Sequence, residues 1–222
     1  MRNDRAAGHG DEIQAFLMPT VTLDCDHPDI ERTATDLIAN CKDDTDKAVR
    51  LFYFVRDEIR YSPYMISVFL EDFKASRVLG WKKGYCVQKA VLLAAMGRAA
   101  GIPSRLVFAK IKNHLMPQHV LALTKTNILP RHGYTQFLLK GRWINLAPTF
   151  DKALSEKNDL PLVEFDGENH AVLPSLNRKG EPWIEYIEKF SPHADLPFDW
   201  IVEKTSQLVG KDKRSWLTRP SA

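Results

Sequence analysis

The clearest pattern in the chain lies between residues 44 and 59. Ala48, Leu51, Phe52, Val55 and Ile59 recur at helical spacing, while Asp57, Glu58 and Arg60 fall off the apolar stripe. Asp43 and Asp44 offer N-cap oxygens just before it, and Tyr61-Ser62-Pro63 ends it, because proline disfavours helix in the residue it follows. An earlier helix is expected from Pro28 and Asp29 to about Asn40, and a shorter one over residues 73–79. Residues 80–84, with two glycines, read as a loop. The run that follows, residues 85–96, is apolar nearly all round and rich in Ala and Leu. Such a helix is buried on most of its sides. Gly101 is its natural C-cap, followed by Ile102 and Pro103.

After Pro103 the period changes. Residues 104–111 carry Leu106, Val107, Phe108 and Ile111 and read as a strand. Residues 120–123 form another strand or part of a long loop. Residues 132–139 and 142–146 flank Lys140-Gly141 and make a hairpin signal. A short strand is expected over 163–166. Residues 181–190 and 198–209 read as helical, with Pro182 tolerated in a first turn. Helices first, then a mostly antiparallel sheet, then helices again, argue for an α+β fold.

Composition narrows the picture. A chain of 222 residues suits one domain, placed at 13–210 between a disordered tail (1–12) and a basic C-terminal tail (211–222). The net charge of +3 is too small to argue for nucleic acid. Lys204, Lys211, Lys213, Arg214 and Arg219 read as a solvated end. The N-terminus lacks the apolar region of a signal peptide, and no run approaches a membrane span. Three irregularly spaced cysteines form no disulfide framework. Together these point to a cytoplasmic protein with reduced thiols. Neither Cys25-Asp26-His27 nor the pair His114 and His119 has zinc-site spacing, and no phosphate loop or dinucleotide fingerprint is present, so no metal or cofactor is expected.

Cys86 and His132 carry the chemistry. Cys86 follows a glycine-containing loop and opens the buried helix, where backbone N–H groups and the helix dipole favour a thiolate. Such a thiolate attacks acyl carbons, and its own N–H helps to hold the oxyanion. His132 opens a strand and is the imidazole a catalytic thiol needs, distant in sequence and near in space. Taken singly, each also fits a bland role, as a small buried hydrophobe and a surface-loop histidine.

Gly84-Tyr85-Cys86, with the Ala/Leu helix ending Arg98-Ala99-Ala100-Gly101-Ile102-Pro103, resembles the cysteine block of the transglutaminase-like superfamily. His132-Gly133-Tyr134, then Gly141, Trp143 and Pro148-Thr149, resemble its histidine block. The resemblance runs from about Asp44 to Asp151. It implies a papain-like core, with a buried cysteine-bearing helix packed on an antiparallel sheet and a Cys-His-Asp thiol site. The family's aspartate before Pro-Thr is Ala147 here, which cannot orient an imidazole. If Lys140-Gly141 is a two-residue turn, His132 shares a face with Asn145, Ala147, Thr149 and Asp151. Asp151 is preferred as the orienting residue because a carboxylate also stabilises the imidazolium. Asn145 and Asp166 are the alternatives. Tyr61 and Trp81 are candidates for a further oxyanion donor.

The expected function is therefore cysteine-dependent acyl transfer on a peptide or protein amide, by hydrolysis rather than crosslinking. A binding module with a decayed site and a thioester-dependent acyltransferase are the alternatives. Residues 112–130 are a candidate cleft-shaping segment.

Overall fold

The computed structural model describes residues 13–209. The expectations for the two tails, 1–12 and 211–222, lie outside that range.

The first half of the described chain contains the helices α1 (Pro28–Ile38), α2 (Asp44–Glu58) and α3 (Ala75–Trp81). Asp43 caps α2 by accepting the Asp46 N–H at 2.9 Å. Two short parallel strands, β1 (Arg60–Tyr61) and β2 (Lys83–Gly84), then pair side by side. They replace the loop expected at 80–84: Gly80 and Trp81 finish α3, and Lys82 turns the chain in the left-handed region at φ 52°. The pairing of β1 with β2 sets Tyr61 beside Gly84, two residues before Cys86.

Helix α4 (Cys86–Ala99) lies at the centre. Helices α1, α2 and α3 pack on one side of it, and β3 (Ser104–Asn113) and β4 (Ile128–Leu139) on the other. Val87, Val91, Leu92, Leu93, Ala94 and Ala95 are fully buried. Burying a Val or Leu side chain contributes about 1.5–3 kcal/mol. Such a helix has no face to offer solvent, as its all-round apolar sequence requires. Two glycines set the helix–sheet distance. A Cβ on Gly97 would collide with the Phe137 ring and the Ser104 hydroxyl, and one on Gly133 would meet the Val87 backbone at 3.0 Å. Between them, the Thr135 hydroxyl donates to the Ala90 carbonyl at 2.8 Å. Buried Arg98 ties the far end of α4 down by donating to the carbonyls of Ser104, Met18 and Ala194.

The main sheet is antiparallel throughout, in the order β5–β4–β3–β6, with β5 at Arg142–Leu146 and β6 at Ile184–Lys189. Lys140 and Gly141 form a two-residue hairpin turn, both at positive φ. Thr135 then pairs with Leu146 and Gln136 with Asn145. A bulge in β3 between Ala109 and Ile111 shifts its register with both neighbours. Past the hairpin come α6 (Lys152–Lys157) and α7 (Phe198–Val209), with α5 (Gln118–Thr124) between β3 and β4.

Besides the 80–84 loop, three further sequence expectations fail. Residues 120–123 belong to helix α5, which Pro117 precedes. Residues 163–166 form no strand: this stretch runs along α2, where Arg56 holds the Val163 carbonyl at 2.8 Å and Tyr53 the Glu164 carboxylate at 2.7 Å. Residues 184–189 are strand β6, not helix. Its Ile-Glu-Tyr-Ile alternation turns Ile184 and Tyr186 inward at the edge of the sheet.

Candidate functional site

Cys86 is the first residue of α4 and is 8% exposed. The helix start is held from behind. Gln88 accepts the Tyr85 N–H at 3.2 Å and donates to the Asp72 carbonyl at 2.9 Å; it is fully buried and does not line the cavity described below. Burial pushes the Cys86 thiol above its ordinary pKa. The Gly133 N–H, the Arg131 guanidinium, and the Val87 and Cys86 N–H groups pull it down, in that order, but burial is the largest effect. The helix terminus does favour the thiolate, as the sequence implied. Desolvation outweighs it, and the free protein holds a neutral thiol at pH 7.

The N–H acting on the sulfur belongs to Gly133, the neighbour of His132. His132 is buried among aromatics. Its ring stacks on Tyr134 at a centroid distance of 6.0 Å and meets Tyr186 edge-on at 6.1 Å. Burial alone lowers its pKa to about 4, with no acidic group acting on it. Its Nε2 is buried and has no hydrogen-bond partner.

Cys86 and His132 line one cavity of about 460 Å³ together with Tyr61 and Thr149. Tyr61 is electrostatically coupled to Cys86, and burial pushes its hydroxyl pKa well up, so it is a neutral donor. The Thr149 hydroxyl is buried and unpartnered. Pairing of β4 with β5 ends at Thr135 and Leu146, and Thr149 reaches the cavity from the segment that follows.

The preferred orienting residue, Asp151, has other partners. Its two carboxylate oxygens accept the Tyr61 N–H at 2.7 Å and the Leu154 N–H at 2.9 Å, so it fixes Tyr61 and caps α6. Among the described residues no hydrogen bond joins it to His132. Asn145 does share the face of His132 but is bound to Gln136 at 2.7 Å. Asp166 is fully exposed. Its carboxylate accepts the Glu168 and Asn169 N–H groups and the Asn169 side-chain amide, which hold its pKa low. Ala147 is buried, with its N–H on the Ala171 carbonyl. Trp81 packs against Arg77 outside the cavity lining.

Sequence reasoning missed Arg131. Its side chain is 5% exposed, Nε donates to the Thr205 hydroxyl at 2.8 Å on α7, and Nη2 is buried without a partner. It lies over the Tyr85 ring at 5.6 Å and acts electrostatically on Cys86. A basic residue opening a strand is the sequence signature of a solvated edge, so nothing local marked it.

The remainder of the cavity is mostly apolar, with Asn113, His119 and Asn158 as its polar members. The 111–129 stretch supplies Ile111, Leu115, Met116, Pro117, Val120 and Leu129, so the long segment after β3 does shape a cleft. The far wall comes from Phe150, Leu154, Leu160, Leu173, Trp183 and Ile184. Elsewhere, among the described residues, no three His, Cys, Asp or Glu side chains gather as a metal site would require. His114 instead pairs with Glu185 at 3.1 Å. No helix among the described residues is long and apolar enough to cross a membrane.

The family model of the transglutaminase-like superfamily matches residues 31–148, more than half of the chain and inclusive of Cys86, His132 and Ala147. This chain belongs to the transglutaminase-like superfamily. Asp151, Asp166 and the far wall of the cavity lie outside the matched stretch. No curated protein matches the sequence. Among solved structures, a candidate cysteine protease of Cytophaga hutchinsonii is similar at 15% identity and a TM-score of 0.49, over 82% of this chain and 54% of that one. The periplasmic domain of TgpA from Pseudomonas aeruginosa is similar at 18% identity and 0.45, over 63% and 47%. A candidate protease of Parabacteroides distasonis follows at 19% and 0.40, over 61% and 26%. The superfamily member described here thus spans about half, or less, of the length of these structures.

Proposed function

We propose that this transglutaminase-like protein is a cysteine-dependent acyl-transfer enzyme that hydrolyses an amide or peptide bond, with Cys86 as nucleophile and His132 as general base. The observation that supports it best is the shared cavity: the thiol at the start of α4 and the imidazole of β4 line the same space, and the N–H of Gly133, next to His132, acts on the sulfur. In the first step the Cys86 sulfur bonds to the acyl carbon as His132 takes its proton. The C–N bond then breaks, and the same proton leaves on the amine. Water next attacks the thioester, with His132 taking its proton and returning it to the sulfur. The Cys86 N–H and the Tyr61 hydroxyl are the oxyanion donors, and Asp151 holds Tyr61 in place. Both partners start neutral, so the proton moves during attack rather than in a preformed ion pair.

The test is a search for the acyl-enzyme. Incubation with an activated ester at pH 8.5, acid quenching and peptide mass spectrometry should find the acyl mass on Cys86. It should vanish in Cys86→Ser and fall at least about tenfold in His132→Gln. Absence of any adduct on a folded wild-type protein would leave the decayed binding module as the better reading.

The cavity also favours the thioester-dependent acyltransferase, which needs room beside the thiol for a bulky donor or acceptor. Adding a primary amine to the acylated protein separates the two: hydrolysis releases acid alone, whereas transfer releases the amide.

A further inference from the structure

The cavity beside Cys86 is uneven in chemistry. Thirteen of its twenty described lining residues are apolar, and none is Asp, Glu, Lys or Arg. Its volume, about 460 Å³, lies in the range of small-molecule sites. The polar atoms left without partners, His132 Nε2 and Thr149 Oγ1, belong to the residues grouped with Cys86. Away from that group the other polar lining residues are Asn113, Asn158 and the exposed His119, and each amide makes one local hydrogen bond. Asn113 Oδ1 accepts the Leu115 N–H at 3.0 Å, and Asn158 Nδ2 donates to the Leu154 carbonyl at 2.8 Å. A run of aromatic rings leads outward from the thiol. Tyr61 meets Phe150 edge-on at 4.8 Å, and Phe150 stacks on Trp183 at 5.9 Å.

We infer that this cavity receives the acyl side of the substrate and selects an uncharged, apolar chain or side chain there, with the reacting carbonyl at Cys86. The inference rests on the reading of Cys86 as the nucleophile. A carboxylate or ammonium carried into such a space gives up its hydration and meets no lysine, arginine or carboxylate, the one further ionisable side chain, His119, being exposed, so charged acyl groups are disfavoured. An aliphatic or aromatic group of several carbons leaves water for thirteen apolar neighbours and gains binding with each methylene buried. The shared chemistry is an apolar group next to a reactive carbonyl, whether a straight acyl chain or an apolar amino-acid side chain supplies it.

Four 4-nitrophenyl esters test this: acetate, octanoate, the suberate half-ester and N-acetyl-leucine. Each transfers its acyl group to the Cys86 sulfur and releases 4-nitrophenol, and each rate is normalised to the same ester with glutathione. Octanoate or N-acetyl-leucine should acylate Cys86 at least tenfold faster than acetate and than suberate, which has the length of octanoate but ends in a carboxylate. Which of the two is faster tells a straight chain from a side chain. Leu115 is 40% exposed at the rim, so Leu115→Lys tolerates the charge and should narrow the octanoate-to-suberate ratio at least threefold. Suberate acylating as fast as octanoate, or a ratio unmoved in Leu115→Lys, overturns the apolar selection while leaving Cys86 a nucleophile. No acylation of Cys86 by any ester, with alkylation of the unfolded protein intact, overturns the nucleophile itself.

Discussion

At the scale of the residue, the site is a balance between burial and a few favourable charges. Cys86 and His132 are each held in the neutral form by desolvation, and Arg131 is the one full charge pulling the thiol the other way. Replacing Arg131 with Met keeps much of its length and removes that charge. The midpoint of Cys86 alkylation by iodoacetamide should then rise by about one pH unit. The protein should also lose about 1–3 kcal/mol, because the Thr205 hydroxyl and the Ile201 carbonyl lose their donor. An unmoved midpoint in a folded variant would show that Arg131 acts on packing alone. His132 gives a second pH signature. Its folded pKa of about 4 lies below the ordinary 6.5, so between those values the unfolded chain binds a proton that the folded chain refuses. Stability should therefore fall by about 3 kcal/mol as pH drops from about 6.5 to about 4. In His132→Gln that part of the slope should disappear from urea-denaturation midpoints taken across the range.

At the scale of the element, the cysteine helix and the hairpin were legible because each announces itself locally. The 85–96 run is apolar on every side, and Lys140-Gly141 fixes a two-residue turn whose parity puts His132 and Asn145 on one face. The parity could not tell which side chain would reach the imidazole, because β5 stops at Leu146 and the chain leaves the sheet before Asp151. Strand β6 was misread for a related reason: its glutamates face solvent along an edge, and only its pairing with β3 shows that the two-residue alternation matters. Asp151 shows what such a departure produces. It joins α6 to β1 rather than joining the histidine. Asp151→Ala removes an N-cap worth about 1 kcal/mol and leaves the Tyr61 N–H without its acceptor, a further 1–3 kcal/mol or so. Stability should fall by roughly 2–4 kcal/mol, and acylation of Cys86 should slow as Tyr61 shifts. The imidazole pKa, followed by NMR, should not move. A drop in that pKa would restore Asp151 as the partner of His132.

At the scale of the whole molecule, the work divides along the chain. Cys86, His132, Tyr61 and Arg131 all fall within the stretch shared with the superfamily, residues 31–148. The far wall of the cavity, from Phe150 to Ile184, is built by the segment after it. The proposed reactive pair thus sits on α4 and β4, packed closely at Gly97 and Gly133, whereas the far wall of the cavity is built by α6 and the approach to β6. The two should be separable by mutation. Leu160 is a half-buried wall residue remote in sequence from the thiol. Leu160→Trp fills space without adding charge, so the ratio of octanoate to acetate acylation should fall at least fivefold. The alkylation midpoint of Cys86 should stay at its wild-type pH, since no charged group near the sulfur has changed. If filling the wall moved the midpoint as well, the cavity and the thiol would be one electrostatic unit, and selection could not be changed without changing the chemistry.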